Sequence, residues 1–423
     1  MKVADLKKKI ESKFGRSIRS LSDLKDLKDD IFLFTSQSIG FNTLRRFYSF
    51  LPTTKPSRNT LNYLSKYVGF ENYSSFVNGY KLDKVWYNWD QINNILLKNS
   101  LVEKDINWLV QRRKSEHYYM YLTYLISSYI DTKKTKYLNT IFSHSPLFEV
   151  DRKEFAKIST TISKKLKSFS NENLKWISNF LKYESFRNLM LYSYVDVDTL
   201  NAYYGYLLNK SFSIIVKKDE ILFSKLMLGF YNFVRSKSVD ITIVFLEIPE
   251  NCHPILLGRY HSMKLILDSK KNNENFDEFL KISKNIDSKI ELFQEYIPIL
   301  ILLKEVEKIE LIFNTYYNEL IDYEHWDHIH IERYNLVALA LVHIKNNDLK
   351  LVLELFKYFN SESNFHVNDD YQKILYSIAL FHYQHQLFGK GKETSKVKRE
   401  YLKLVQKTGF TFFTESFLVN YFN

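Results

Sequence analysis

Apolar residues recur at helical spacing along almost the whole chain, and very few residues interrupt that pattern. The 423 residues include only 10 glycines and 6 prolines, against 31 tyrosines and 33 phenylalanines. A β-sandwich or barrel needs many turn residues, which this chain lacks. The sequence therefore predicts an all-α protein in which amphipathic helices are joined by short links.

The first 77 residues predict a small helical bundle. One helix is expected over residues 3–14 and ends at Gly15, and a second begins near Ser22. The second helix has an apolar stripe that we expect to face inward, formed by Leu24, Leu27, Ile31 and Phe34. A polar link containing a glycine follows at residues 78–83. We therefore predict one domain at 1–77 and another at 84–423, with a possible subdivision near 240.

Residues 38–76 carry the most informative pattern. A helix over residues 42–51 would have one apolar face, formed by Phe41, Leu44, Phe47, Tyr48 and Leu51. Its other face would carry Asn42, Arg45, Arg46 and Ser49. Pro52 cannot continue this helix, and a further helix is expected from Ser57 until Gly69.

The positive charge of residues 41–70 favours binding of a polyanion. Residues 41–70 contain five basic residues and no acidic one; the five are Arg45, Arg46, Lys55, Arg58 and Lys66. The net charge of the chain is +12, and residues 1–240 carry +16 of it while residues 241–423 carry −4. A basic front half predicts that phosphate would be held there. The alternative is a basic face that is only solvated.

The motif "NTLRR" at residues 42–46, followed by "KPSRNTLNYLSKYVG" at residues 55–69, resembles the recognition helix and following helix of lambda-repressor-like helix-turn-helix domains. The segment before the turn, residues 29–40, is more aromatic than in that family. The resemblance implies that Asn42, Thr43, Arg45 and Arg46 approach bases in the major groove of double-stranded DNA. It also implies that Ser57, Arg58 and Lys66 lie near backbone phosphate.

Beyond residue 84 the chain predicts a long α-helical array. Residues 332–359 predict an amphipathic pair with a turn at residues 346–348, and residues 376–410 predict another with a turn at residues 389–391. Both pairs contain small alanines, and each repeat unit is expected to take about 35–45 residues. Each pair loosely resembles a tetratricopeptide-like hairpin, which implies an α-solenoid with a groove for a protein or peptide and a possible homodimer. A compact helical bundle is the alternative.

Catalytic and metal-binding patterns are weak. The densest group of potential ligands, at residues 324–332, contains His325, His328 and His330, but a solvated turn is the preferred interpretation. His382 and His385 are interpreted as packing residues, and the basic runs at 164–167 and 396–399 as solvated faces. The glycines form no phosphate-binding loop. We predict no enzyme activity, no cofactor and no metal.

The remaining features concern location. The one cysteine, Cys252, excludes an internal disulfide and suits a reducing compartment. The N-terminal residues lack the apolar core of a signal peptide, and no apolar run approaches the ~20 residues that span a bilayer. We therefore expect a cytoplasmic protein with no membrane partner.

Three functional hypotheses follow. The first is a DNA-binding transcriptional regulator whose helical-repeat body senses or recruits a partner. The second is a non-enzymatic protein-interaction scaffold with no role in nucleic-acid binding. The third is a helical enzyme, or a toxin–antitoxin or phage-defence component, whose activity resides in a partner.

Overall fold

A computed structural model shows that the chain is helical and that it divides into two units. The structure describes residues 2–52, 54–268, 271–320, 328–359 and 369–422, with side chains described except at 2, 78–84, 328–330 and 369. Within these ranges 23 α-helices and no strand are present. Unit 1 is Met1–Asn99 and unit 2 is Ser100–Asn423. The predicted all-α class is confirmed.

Unit 1 consists of five helices. In chain order they are α1 (Lys2–Phe14), α2 (Leu21–Thr35), α3 (Phe41–Phe47), α4 (Arg58–Tyr67) and α5 (Tyr73–Leu97). Gly15, at φ +82°, follows the end of α1 as predicted. Ser20 caps α2 through a hydrogen bond from the backbone N–H of Asp23, whose carboxylate in turn accepts from the backbone N–H of Ser20.

The core of unit 1 is formed by one apolar face of each helix. Its fully buried members include Leu6, Leu24, Leu44, Leu64 and Phe76. The stripe predicted on α2 is confirmed except at its end, because Phe34 is 59% exposed. The prediction for Phe34 is wrong because the last turn of α2 extends past the core. The Phe34 ring instead lies under the ammonium group of Lys13 and meets the edge of Tyr67.

The predicted link at residues 78–83 lies inside a helix. Helix α5 begins after its cap, Asn72, and continues without a break to Leu97. A single glycine in a helix costs about 1 kcal/mol relative to alanine, which a helix of this length tolerates. The two units consequently meet in sequence at residues 99 and 100, rather than at the predicted 77 and 84.

Unit 2 contains the other 18 described α-helices. The first nine are α6 (Glu103–Arg112), α7 (Tyr118–Asp131), α8 (Thr135–Ser143), α9 (Arg152–Leu166), α10 (Asn171–Ile177), α11 (Glu184–Arg187), α12 (Tyr203–Ser211), α13 (Lys218–Val234) and α14 (Pro254–Leu267). The second nine are α15 (Asn272–Ser283), α16 (Lys289–Phe293), α17 (Ile297–Leu302), α18 (Val306–Leu320), α19 (His328–Lys345), α20 (Leu349–Phe359), α21 (Asp369–Phe388), α22 (Lys392–Thr408) and α23 (Glu415–Val419). Short 3-10 and π segments separate several of them.

Two helical hairpins agree with the sequence. Helices α19 and α20 pack together after a turn in which Asn347 has φ +60°, and α21 packs on α22 after a turn in which Gly389 has φ +63°. The small residues Ala338 and Ala379 are fully buried. Both predicted turns are confirmed, because asparagine and glycine adopt the left-handed region at low cost.

Contacts between distant parts of the chain also hold unit 2 together. Asn201 Nδ2 donates to the carbonyl of Thr408, and the backbone N–H of Phe412 donates to the carbonyl of Val234. The hydroxyl of Tyr421 donates to the carbonyl of Ile301 at 2.8 Å. Each repeat of a simple solenoid contacts only its neighbours. The solenoid arrangement stays a prediction.

The apolar residues between 289 and 302 form two short helices rather than one. Helix α16 ends at Phe293, and α17 begins at Ile297 with Pro298 in its first turn. Proline has no N–H to donate and fits the first turn of a helix better than its interior. The break therefore falls just before the proline.

A very close backbone contact joins α14 to α16 in unit 2. A Cβ atom added to Gly258 would lie 2.1 Å from the carbonyl oxygen of Leu292. Next along the helix face, Ser262 Oγ lies within hydrogen-bond distance of two carbonyls, at 2.8 Å from Gly258 O and 2.9 Å from Glu295 O. Only glycine allows this approach, so position 258 fixes how closely the two elements pack.

Replacing Gly258 by alanine is expected to destabilise the protein by at least about 2 kcal/mol, because backbone atoms would have to move apart. Chemical denaturation of the full chain, followed by circular dichroism, measures the change. The matched control is Gly391→Ala, since a Cβ atom there would meet nothing closer than Phe388 O at 3.6 Å. Equal stability of the two variants would contradict the proposed packing constraint.

Asp198 makes the stability of unit 2 depend on pH. Its carboxylate accepts hydrogen bonds from the backbone N–H groups of Asp370 and Tyr371, at 3.2 Å and 2.9 Å. Burial raises the pKa of Asp198 to about 7, and the nearby charges of Asp196 and Asp370 add to the increase. The folded chain therefore holds a proton that the unfolded chain releases near pH 4.

We expect stability from this group to decline as the pH rises from about 4 to about 7. Asp198→Asn keeps a hydrogen-bond acceptor but does not titrate. Between pH 5 and pH 8 the wild type should lose up to about 2 kcal/mol more than this variant. Melting temperatures of both proteins across that range measure the difference. Parallel curves for the two proteins would show that Asp198 is ionised throughout.

Candidate functional site

Helix α3 presents polar and basic residues because two of its apolar residues anchor it in the core. Leu44 is fully buried and Phe47 is 4% exposed. Asn42 and Arg46, one helical turn apart, are exposed, and Thr43 is half-buried. Leu44 and Phe47 thus lie on the predicted inward face, and Asn42 and Arg46 on the predicted outward face.

Arg45 is less exposed than its position on the helix suggests. Its Nη1 donates to Asn42 Oδ1 at 3.3 Å, and its Nε is buried without a hydrogen-bond partner. The guanidinium therefore lies along the helix surface and links to Asn42. Of the four residues predicted for base contact, Asn42 and Arg46 extend furthest into solvent.

Helix α3 ends earlier than predicted. The carbonyl of Arg45 accepts from the backbone N–H groups of Phe50 and Leu51, and Ser49 adopts φ +68°. This is the hydrogen-bond pattern of a helix that ends in a left-handed residue. The helix consequently stops at Phe47, four residues before the predicted end at Leu51, and is about 10 Å long.

Helix α4 carries the second group of predicted site residues. Ser57 is its N-cap: the hydroxyl accepts from the backbone N–H of Thr60 at 3.2 Å. Arg58 and Lys66 are exposed near opposite ends of the helix. Between them, Asn62 Oδ1 accepts from the backbone N–H of Tyr73 and ties α4 to α5. Ser57 thus has a structural role in addition to any contact with phosphate.

The cations of this region have no acidic partner among the described residues. No described carboxylate pairs with Arg46, Arg58 or Lys66. Elsewhere in unit 1, by contrast, Arg16 lies 3.4 Å from Asp23 and 2.5 Å from Asp26. Residues 41–70 therefore leave their positive charge available to an external anion.

The turn before α3 differs from the family pattern that residues 42–69 resemble. Five residues, 36–40, separate α2 from α3, whereas three or four are usual in a helix-turn-helix. The last turn of α2 also exposes Leu33 at 80% and Phe32 at 53%. The helix-turn-helix arrangement therefore stays a prediction, and unit 1 differs from it in the longer turn and the exposed apolar end of α2.

The other motifs of the sequence are bonded within the protein or lie outside the description. Residues 324–327 and the side chains of 328–330 are outside the described part of the chain. Burial lowers the pKa of His382 to about 4, and its Nε2 bonds to Leu418 O. Lys165 pairs with Asp131, and Lys398 with Glu415. These runs therefore offer less unpaired charge than residues 41–70.

No group of three or more His, Cys, Asp or Glu side chains in the described part of the chain is arranged to hold a metal ion. No helix there is long and apolar enough to cross a membrane.

Unit 2 contains a cavity of about 410 Å³ that the sequence did not predict. The residues that line the cavity come from many segments between residues 152 and 371. No pattern in the sequence indicates that these segments lie close together. One signal was present: Arg259 directly follows an apolar stretch, residues 254–258, at the start of helix α14.

Replacing Ser57 by alanine is expected to destabilise α4 by about 1 kcal/mol, because the helix loses its cap. Hydrogen–deuterium exchange of the full chain, read on peptides covering residues 58–67, should then be several times faster. Ser74→Ala is the control, since Ser74 is exposed within α5. Unchanged exchange in Ser57→Ala would mean that the hydroxyl does not hold the helix end.

No family model, no curated protein and no solved structure matches this chain. The resemblances to helix-turn-helix domains and to tetratricopeptide repeats therefore stay predictions of the sequence.

Proposed function

We propose that the protein is a DNA-binding regulator that contacts double-stranded DNA through α3 and α4 of unit 1. Asn42, Thr43, Arg45 and Arg46 are assigned to bases. Ser57, Arg58 and Lys66 are assigned to phosphates. The observation that carries this proposal is the set of exposed cations in residues 41–70 without a carboxylate among them.

The anchoring of α3 supports the proposal. Because Leu44 and Phe47 are buried, the polar face of α3 is fixed toward solvent. A helix that reads DNA must hold such a face rigidly, since each base contact depends on side-chain position. The link between Arg45 and Asn42 further orders two of the assigned residues before any ligand binds.

The net positive charge of unit 1 also supports the proposed DNA binding. Residues 1–99 contain 17 basic and nine acidic residues, a net charge of +8. Each phosphate that a lysine or arginine neutralises releases counterions from DNA, so a DNA-binding unit of this kind should bind less tightly as salt increases.

Unit 2 is proposed to receive a protein or peptide partner. Helix α20 supports this, since Leu353 and Tyr358 on its outer side are 47% and 66% exposed. Large exposed apolar side chains on a helix are typical of surfaces that contact another protein.

The double variant Arg46→Ala/Arg58→Ala tests the DNA contact. Binding of a mixed-sequence duplex of about 30 base pairs is measured by fluorescence anisotropy between about 50 and 200 mM KCl. Loss of the phosphate contact of Arg58 should reduce the slope of log K against log salt by about 1, and loss of both cations should weaken binding at every concentration.

The control removes the same two charges elsewhere. Arg16→Ala/Arg113→Ala changes arginines that already pair with carboxylates, Asp26 and Glu149. This control should keep a slope close to that of the wild type. Equal slopes in the two double variants would reject the assigned surface and favour the interaction scaffold without nucleic-acid binding.

A further inference from the structure

The cavity in unit 2 has a charged rim and a buried interior. Its volume is about 410 Å³, within the range of small-molecule sites. Three charged side chains of the lining, Arg152, Glu184 and Lys217, are about half-exposed and already pair with one another or with neighbours. Lys217 Nζ lies 2.5 Å from Glu184 Oε1, and Arg152 contacts both Glu291 and His253. The rim therefore has little unpaired charge.

Inside the cavity, Arg259 has an unused hydrogen-bond donor. Its side chain is 7% exposed, and Glu295 Oε2 accepts from Nε at 3.1 Å and from Nη2 at 2.7 Å. Nη1 is buried and has no hydrogen-bond partner in the described structure. A buried donor without an acceptor is costly, which indicates that an external acceptor belongs there.

A second unpartnered polar atom lies in the same lining. The hydroxyl of Tyr371 is buried without a hydrogen-bond partner, and the residue is 2% exposed. The remaining lining is largely apolar and aromatic, with Phe223, Met227 and Phe230 from α13. The Phe223 ring lies 5.1 Å from the guanidinium carbon of Arg259. Such walls suit a flat, apolar molecule with few polar atoms.

The charge balance of the lining excludes a strong preference for anions. Glu295 already neutralises Arg259, and the lining also contains three further carboxylates, those of Glu184, Asp219 and Glu220, against two further cations, Arg152 and Lys217. An anionic ligand would meet these carboxylates in a partly buried space, where like charges repel strongly. The free donor of Arg259 therefore suits a neutral acceptor.

We propose that this cavity binds a neutral, largely apolar small molecule whose carbonyl or amide oxygen accepts a hydrogen bond from Nη1 of Arg259. The hydroxyl of Tyr371 supplies a second polar contact. The proposal does not depend on DNA binding, since every residue that carries it lies in unit 2.

Prodan tests the proposal, because it is a neutral aromatic ketone whose emission responds to hydrogen bonding at its carbonyl. The full chain is titrated with prodan, and saturable binding at one site is expected. In Arg259→Gln the affinity should decrease about tenfold, and the emission of bound prodan should shift to the blue. Glu295 remains 26% exposed, so water can solvate its carboxylate in this variant.

Two further ligands distinguish the hydrogen bond to the carbonyl group from general apolar binding. 2-Dimethylaminonaphthalene lacks the carbonyl group and should bind the wild type and Arg259→Gln equally. The anionic 6-dimethylamino-2-naphthoate should bind the wild type more weakly than prodan. Stronger binding of the anion would overturn the assignment of a neutral ligand.

A second variant keeps the test decisive if Arg259→Gln unfolds. Ile255 lines the cavity and is only partly buried, so Ile255→Trp should fill the space and abolish prodan binding. The control Ile214→Trp adds the same side chain at a residue that is 42% exposed and outside the cavity lining. Retained affinity in Ile255→Trp, or an absence of saturable binding to the wild type, would overturn the proposal.

Discussion

The contact of α14 with α16 at Gly258 determines how the interior of unit 2 is arranged. Because no side chain separates Gly258 from the carbonyl of Leu292, the two backbones meet directly. Arg259, the next residue, is thereby brought within hydrogen-bond distance of Glu295. With a larger residue at 258, this ion pair could not form in its present geometry. The cavity thus depends on a close backbone approach that only glycine permits.

In unit 1 the main constraint is that a very short helix, α3, must be stabilised by its surroundings. Seven residues are too few to form a stable helix alone, so α3 depends on tertiary packing. Leu44 and Phe47 supply that packing, and the carbonyl of Arg45 closes the end of the helix through two backbone hydrogen bonds. The outward-facing residues of α3 do not contribute to the core, so they can be polar or charged.

The sequence predicted elements well where local chemistry decides them. Periodicity identified the helices, and Asn347 and Gly389 marked two turns, because both depend on neighbouring residues alone. Prediction failed at Ser49, since a left-handed serine is uncommon and leaves no pattern. It could not find the cavity either, because Glu295 lies 36 residues from Arg259 and an arginine is ordinarily expected at the surface.

The pairing of the cavity's own charges has a thermodynamic consequence. Binding of an uncharged ligand in the cavity would displace no bound ions. The affinity of that ligand should therefore be nearly independent of ionic strength. Polyanion binding by the unpaired cations of unit 1 would instead decline steeply as mobile ions compete. Under these two proposals, a change in ionic strength alone would release the polyanion and leave the uncharged ligand bound.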